Sequence, residues 1–209
     1  LASSAASDVY KRQDSGSSDD KSSKGDWDSS NDITIVSRED GSGTRGAFIE
    51  LFGIEEKKDG EKVDMTTDDA QITNSTSVML STVAQDVNAI GYVSLGSLDD
   101  SVTAVKIDGA EATAESIESG DYKVVRPFNI ATKDDVSEAA QDFITYIMSA
   151  DGQQIIEDNG YIAVGDKPAY EAADVEGKVV VAGSSSVTPV MEKLAEGYKA
   201  VNDLSLIHI

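Results

Sequence analysis

Alternation of apolar and polar residues begins at Asp32 and predicts strands that alternate with helices. Ile33 and Ile35 alternate with polar residues, which is typical of a strand, and this strand runs into a glycine-rich turn. A helix is predicted over 44–52, because its apolar residues recur at helical spacing and Gly53 follows as a stop signal.

The same pattern predicts most of the remaining elements. Segment 54–69 is charged and aperiodic, and is predicted to be an exposed excursion. Polar residues at 74–77 are N-cap candidates for a helix that reaches Ala84. The other predicted elements are strands at 89–95, 102–107, 122–131 and 178–182, a helix over 134–159 that breaks at Asp151 and Gly152, and a helix over 187–201. This order predicts an α/β layered fold.

The two terminal segments are excluded from the fold prediction. Residues 8–13 are DVYKRQ and residues 204–209 are LSLIHI, and complementary strands of a single DNA word can encode both peptides. That word resembles the transposon end used in sequencing libraries, so 1–13 and 204–209 are interpreted as adapter-derived artefacts and the chain as a fragment. We therefore expect that removing both ends leaves the melting temperature of the folded part unchanged.

The composition of the chain argues against several classes of partner and catalytic site. The formal net charge of −22 argues against nucleic acid or anionic membranes as partners. The chain has no cysteine, and its single histidine, His208, lies in an excluded end, so a thiolate site and an imidazole base are both excluded. Segment 14–31 is rich in Ser and Asp and is predicted to be a disordered tether, either a spacer behind a membrane anchor or an ordinary linker.

The turn after the first strand has the composition of an anion-binding loop. Gly41 and Gly43 allow backbone conformations in which successive N–H groups point at one site. Ser42 and Thr44 add hydroxyl donors, and the helix that begins near Thr44 adds the positive end of its dipole.

Charged residues on either side of this turn are given different roles. Arg38 supplies a planar fork suited to a tetrahedral oxyanion, and Asp40 is predicted to brace it through an ion pair. Arg45 lies inside the helix and is predicted to point outward. No lysine follows the second glycine, which excludes a nucleotide-binding phosphate loop.

A second small-residue turn, GSSS at 183–186, precedes the helix over 187–201. Serines at a helix start are commonly N-caps, and taken alone this turn favours that interpretation. Because two such loops occur in one chain, an anion held between them becomes the alternative.

Six segments resemble the phosphate-binding proteins of ABC phosphate importers, and together they cover about 32–202. They are SREDGSGTRGAF, ITNSTSVMLSTVA, AIGYVSLGSL, RPFNIATK, FITYIMSADGQQIIEDNGYI and AGSSSVTPVMEKLAEGYKAVN. The resemblance implies a two-lobed, type II periplasmic-binding-protein (Venus-flytrap) α/β fold, incomplete in this chain, that captures inorganic phosphate and catalyses nothing.

By position, the resemblance also implies a set of site residues and domain boundaries. The implied phosphate contacts are Arg38, Ser42, Gly43 and Thr44 from one lobe and Ser185 and Ser186 from the other, with Asp40 and Gly41 in support. The implied boundaries are an α/β region over 32–164, a connector over 165–177 and the first strand–helix unit of the opposing lobe over 178–203. No metal or cofactor is implied. The implied protein is a monomeric extracytoplasmic receptor, periplasmic or held by an upstream lipid anchor, whose partner is a membrane permease.

The chain departs from the usual family order, in which the GSSSV-type loop comes first. The reversed order indicates a circular permutant or the junction of a tandem pair, and a tether directly before Asp32 favours the permutant. A further serine, and an aspartate that accepts hydrogen from protonated phosphate, are expected after Asn202, so this chain is expected to bind phosphate weakly or not at all.

Two alternatives remain open. One is a receptor for another tetrahedral oxyanion, such as sulfate or molybdate. The other is a phosphoryl-transfer enzyme or phosphatase, which needs a metal site or an activated nucleophile. The Asp and Glu residues show no compact ligand spacing that favours the enzyme.

Overall fold

The computed structural model of the chain describes residues 28–209. The terminal segment 1–13 and most of the predicted tether 14–31 lie outside the described residues. The chain divides into two compact units: unit 1 runs to Ser94 and includes Leu98–Val105, and unit 2 comprises Leu95–Ser97 and Lys106–Ile209.

Unit 1 is built on a three-stranded parallel sheet with the order β4-β1-β5. The strands are β1 (Thr34–Arg38), β4 (Gln71–Thr73) and β5 (Ala89–Ile90); helix α1 (Gly43–Leu51) follows β1, and α2 (Thr76–Gln85) follows β4. Val36 and Met79 are buried where α2 packs on the sheet. The predicted first strand and both predicted helices are thus confirmed, with ends shifted by one or two residues.

A hairpin occupies the segment predicted to be an exposed excursion. Strands β2 (Glu55–Lys58) and β3 (Glu61–Asp64) pair in antiparallel register across Asp59 and Gly60. Both turn residues have positive φ, 54° and 89°, which suits the tight two-residue turns that Asp-Gly favours. The predicted exposure is confirmed, since most residues of both strands are exposed. The strands themselves were not predicted, because EEKK offers no apolar residue that could alternate, and the Asp-Gly pair was the available signal.

Three predicted strands are largely irregular. Only Ala89 and Ile90 of segment 89–95 are in a strand, and a short 3₁₀ turn follows at Leu95–Ser97. Segments 102–107 and 122–131 form neither helix nor extended ladder; only a single bridge joins Ile107 to Ala110. Both segments are rich in β-branched residues, but Val105 is 63% exposed, so this composition reflects no buried sheet face.

Unit 2 packs helices against a two-stranded parallel sheet. Its helices are α3 (Ala114–Glu118), α4 (Glu138–Ile147), α5 (Ala150–Asp158) and α6 (Thr188–Val201), and its strands are β6 (Gly177–Val180) and β7 (Ser205–His208). Helix α4 packs on β6 and α6, and α5 packs on α6, so these elements belong to one compact unit that extends across the predicted boundary at residue 164.

Serine and threonine caps set the helix starts throughout both units. At the start of each helix from α1 to α5, a Ser or Thr hydroxyl accepts a hydrogen bond from the backbone N–H three residues later. Ser149 is one of these caps, and it divides the predicted long helix into α4 and α5. The predicted break at Gly152 is wrong: Gly152 lies inside α5, where a Cβ would meet the carbonyl oxygen of Tyr146.

An aromatic cluster around one carboxylate forms the centre of unit 2. Phe143, Tyr146 and Tyr198 are buried, and their rings contact one another together with Tyr170. Asp142 accepts hydrogen bonds from the hydroxyls of Tyr170 at 2.7 Å and Tyr198 at 2.6 Å. The segment 165–177, predicted to be a plain connector, thus contributes Tyr170 to the core.

The C-terminal segment that we excluded from the fold takes part in it. Ser205–His208 forms β7 and pairs in parallel with β6. Ser205 is buried and donates a hydrogen bond to the carbonyl oxygen of Val175 at 2.7 Å, and Ile207 packs against the core. The exclusion was wrong as a statement about structure, because alternating Leu, Ile and polar residues suit a strand whatever DNA encodes them.

Deleting residues 204–209 is therefore expected to destabilise unit 2. The deletion removes the pairing of β6 with β7 and the buried Ser205 hydrogen bond, and we expect a loss of about 2–4 °C in melting temperature, the shift that ~1 kcal/mol causes in a chain of this size. Differential scanning calorimetry measures it. Deletion of residues 1–13 is the control and should leave the transition in place; equal transitions for both deletions would contradict the assignment of β7.

Candidate functional site

The predicted anion loop lies at the carboxyl end of β1, the central strand of the unit 1 sheet. Carboxyl ends of parallel strands are where ligands bind in open α/β sheets. Arg38 is the last residue of β1, and the loop then passes directly into α1. Six of the site residues predicted from the sequence lie in this short stretch of unit 1: Arg38, Asp40, Gly41, Ser42, Gly43 and Thr44.

Two contacts from neighbouring elements fix the backbone on which Arg38 stands. On one side, the Thr73 hydroxyl donates to the carbonyl oxygen of Ser37 at 3.1 Å. On the other side, the Tyr92 hydroxyl lies 2.8 Å from Ser37 Oγ and accepts the Arg38 N–H at 3.1 Å. The Tyr92 ring also stacks on Phe48 of α1, with centroids 4.0 Å apart, so strand end and helix are held together.

Glu39, and not Asp40, braces Arg38. The guanidinium of Arg38 donates from Nε to Glu39 Oε2 at 2.9 Å and from Nη2 to Oε1 at 3.0 Å, a bidentate pair. Its side chain is 3% exposed, whereas that of Glu39 is 37% exposed. The hydrogen bonds from Arg38 hold the pKa of Glu39 below its ordinary value, so Glu39 stays charged and the pair persists at neutral pH.

Asp40 and Arg45 occupy positions other than those predicted. Asp40 is 96% exposed and pairs with Arg45, with Oδ1 and Nη1 3.0 Å apart. Arg45 is 15% exposed and does not point outward: Nη1 donates to the carbonyl oxygen of Arg38 at 2.8 Å, and Nε donates to Asp64 Oδ2 at 2.7 Å. The spacing of apolar residues on α1 gives no indication of these contacts, because the partners lie outside the helix.

The loop itself presents donors at the start of α1. Gly41 has φ +80°, a conformation that favours glycine, whereas Gly43 is already helical. Ser42 is the N-cap and accepts the Arg45 N–H at 3.4 Å. The N–H groups of the first helical turn have no acceptor within the helix, and they carry the positive end of its dipole.

Thr44, in the first turn of α1, has a side-chain hydroxyl whose hydrogen-bonding capacity is not satisfied. Its Oγ1 is buried, and among the described residues it has no hydrogen-bond partner. Leaving a buried hydroxyl unpaired costs about 1–3 kcal/mol, so native proteins rarely do so without a functional reason. A ligand oxygen at the helix start would supply the missing partner.

The second predicted loop lies in unit 2. Ser186 is buried, its Oγ lies 3.1 Å from Ser184 Oγ, and its carbonyl oxygen accepts the Tyr161 hydroxyl at 3.1 Å. Ser185 precedes it in the same turn. The N-cap of α6 is Val187, which makes no side-chain cap, so the interpretation of these serines as N-caps is wrong.

Across residues 28–209, no group of His, Cys, Asp and Glu side chains has the geometry of a metal site. No helix in that range is both long enough and apolar enough to traverse a bilayer.

Comparison with known proteins gives consistent results. Residues 20–151 match the family model of the PBP superfamily domain. The phosphate-binding protein PstS 2 of Streptococcus agalactiae is 61% identical over 189 residues, which cover 90% of this chain but 63% of that protein. The chain therefore spans less than two thirds of the length of this relative.

Solved structures extend the comparison to the fold. The phosphate-binding protein of a phosphate ABC transporter from Streptococcus pneumoniae matches with a TM-score of 0.70 and 47% identity, over 86% of this chain and 70% of that one. A Clostridium perfringens structure with bound phosphate, assigned as a phosphate ABC transporter substrate-binding protein, matches with a TM-score of 0.56 and 42% identity, over 64% and 52% of the two chains. The expected α/β binding-protein fold, partial in this chain, is confirmed.

The two threonines of this region should respond differently to loss of their hydroxyls. Thr44→Val removes a buried group that has no partner, so we expect the melting temperature to stay the same or rise. Thr73→Val is the matched control, because it removes the bond to Ser37 and should lower the melting temperature by about 2–4 °C, equivalent to ~1 kcal/mol. Thermal unfolding of the phosphate-free variants tests this, and equal losses in both would contradict the lack of a hydrogen-bond partner for the Thr44 hydroxyl.

Proposed function

Because the chain belongs to the PBP superfamily, we propose that it is the receptor that captures inorganic phosphate for an ABC importer. The observation that carries the proposal is the arrangement at the end of β1. A buried guanidinium, Arg38, stands directly before a helix start where the Thr44 hydroxyl is buried and unpartnered. Relatives named as phosphate-binding proteins support phosphate as the anion.

In this proposal, phosphate is held mainly by hydrogen bonds. Arg38 donates from its fork, Ser42 and Thr44 contribute hydroxyls, and the backbone N–H of Gly43 contributes at the helix start. Gly41 permits the turn, and Glu39 takes the bracing role that we had expected of Asp40. Ser185 and Ser186 of unit 2 are proposed as donors from the second lobe.

Further parts of the proposal concern the protein as a whole. We place it outside the cytoplasm, either periplasmic or held by a lipid anchor, as a monomer that delivers phosphate to a membrane permease. It performs no catalysis in this scheme, because neither cysteine nor a histidine near the loop is available as nucleophile or base. The alternatives are a receptor for sulfate or molybdate and a phosphatase. Anion titration and a phosphatase assay distinguish both from a phosphate receptor.

Loss of the Arg38 fork should remove phosphate binding. We expect this chain, stripped of phosphate, to show saturable shifts of the Gly41, Gly43 and Thr44 amide signals, with a dissociation constant on the order of 1 mM. Arg38→Ala should weaken binding at least ~100-fold, since each charge-assisted hydrogen bond contributes about 1.5–3 kcal/mol. The exposed Arg126→Ala is the matched control and should bind as the parent does. The measurement is a ¹⁵N-NMR titration.

Three outcomes would overturn parts of the proposal. Absence of saturable shifts below about 10 mM phosphate would refute phosphate capture. Tighter binding of sulfate or molybdate than of phosphate would make the protein a receptor for another oxyanion. Release of phosphate from p-nitrophenyl phosphate, lost in Arg38→Ala, would indicate an enzyme.

A further inference from the structure

Arg45 connects three parts of unit 1 at the anion loop. It belongs to the first turn of α1, yet its guanidinium contacts the backbone of β1, the loop residue Asp40 and the hairpin residue Asp64. We propose that Arg45 is a positioning residue that holds the loop in its anion-binding conformation without contacting the anion. This inference rests on the proposed function, since it assigns a role at the same site.

The bond to Arg38 closes the loop into a ring. Arg45 Nη1 donates to the carbonyl oxygen of Arg38 at 2.8 Å, so the residue before the loop is linked to a residue just after it. Inside the ring, the N–H groups of Ser42 and Gly46 donate to the carbonyl oxygens of Glu39 at 3.2 Å and Ser42 at 3.0 Å. These bonds leave the loop few alternative conformations, and binding to a pre-ordered loop costs less conformational entropy.

The same bond also decides which backbone groups face an anion. A carbonyl oxygen carries partial negative charge and would repel phosphate if it turned toward the site. Because the Arg38 carbonyl oxygen is engaged by Arg45, it is kept in a fixed direction. The N–H groups at the start of α1 remain as the donors of the loop.

Arg45 also compensates two carboxylates next to the site. Asp40 and Asp64 lie 3.0 Å and 2.7 Å from its nitrogens. Burial alone would raise the pKa of Asp64, but hydrogen bonds from the hydroxyl and N–H of Thr66 and from Arg45 lower it overall, so Asp64 is charged at neutral pH. Without Arg45, both charges would oppose an approaching anion.

The first measurement needs no phosphate. Amide hydrogen exchange by NMR compares the Ser42 and Gly46 N–H groups with those of α2 in the same unit and of α6 in unit 2. In Arg45→Ala we expect the two loop amides to exchange about tenfold faster, equivalent to ~1.4 kcal/mol, while α2 and α6 stay unchanged. Arg126→Ala is the control and should change none of them.

Two further variants separate geometry from charge. Arg45→Lys keeps the positive charge but cannot bond Arg38 and Asp64 with one fork, so exchange should rise less than in Arg45→Ala. Asp64→Asn keeps an acceptor oxygen for Nε and should have a smaller effect again. If Arg45→Ala fails to fold, Arg45→Lys and Asp64→Asn serve as the test variants. Unchanged hydrogen exchange of the loop amides in both would overturn the inference.

Phosphate titration gives the second measurement. We expect Arg45→Ala to bind about tenfold more weakly than the parent and Arg45→Lys to fall between them. The inference is overturned if loop exchange is unchanged, if exchange rises uniformly across α1 and α2, or if Arg45→Ala binds phosphate as the parent does. A parent chain that binds no phosphate would instead refute the proposed function, and the exchange result would still show whether Arg45 orders the loop.

Discussion

Burial of the Arg38 charge is the constraint on which the rest of unit 1 depends. Its side chain is 3% exposed at the end of a central strand, and an ion removed from water costs several kcal/mol unless it is paired. Glu39 supplies the bidentate partner, while Thr73 and Tyr92 fix the backbone on the two sides of β1. Residues from both sides of β1 thus fix the backbone from which the guanidinium projects.

The charge balance around the loop bears on how an acidic chain would hold an anion, as the proposed function requires. Two guanidiniums, Arg38 and Arg45, meet three carboxylates, so the loop has no excess of positive side-chain charge. Attraction must then come from directed hydrogen bonds, which act over a few ångströms. The net charge of −22 acts through solvent and is screened within ~8–10 Å at physiological salt. Local geometry therefore outweighs the overall charge.

The sequence was informative where a local rule decides the structure. The strand before the loop, its N-capped helix and the positive φ of Gly41 follow from spacing and residue type within a few positions. Prediction from the sequence failed where the partner of a residue is distant in the chain, or where either of two adjacent residues could be that partner. Glu39 and Asp40 are both acidic and adjacent to Arg38, and composition cannot tell which one the turn directs inward. The contacts of Arg45 with Asp64 and of Tyr92 with Ser37 depend on tertiary structure.

The irregular segments and β7 are a second case in which tertiary structure, and not local sequence, decides the outcome. Residues 102–107 are rich in β-branched side chains, as a strand is, but have no ladder, whereas the LSLIHI segment, set aside because of its encoding DNA, pairs with β6. Pairing depends on whether an edge with open hydrogen bonds lies nearby, which alternation alone does not reveal. The donors proposed in unit 2, Ser185 and Ser186, follow from the resemblance and not from any local rule.

The carboxylate between two tyrosines gives unit 2 an optical signal of its own. Five of the seven tyrosines belong to this unit. Burial, and then the hydrogen bond to Asp142, raise the pKa of Tyr170, and the same causes raise the pKa of Tyr198. The stabilisation that unit 2 gains from these two protonated tyrosines is complete below pH ~10. It is lost as the pH rises through their raised pKa values. The phenolate absorbance of Tyr170 and Tyr198 in alkali thus appears late and together with the opening of this unit, so this part of the ultraviolet signal reports on unit 2.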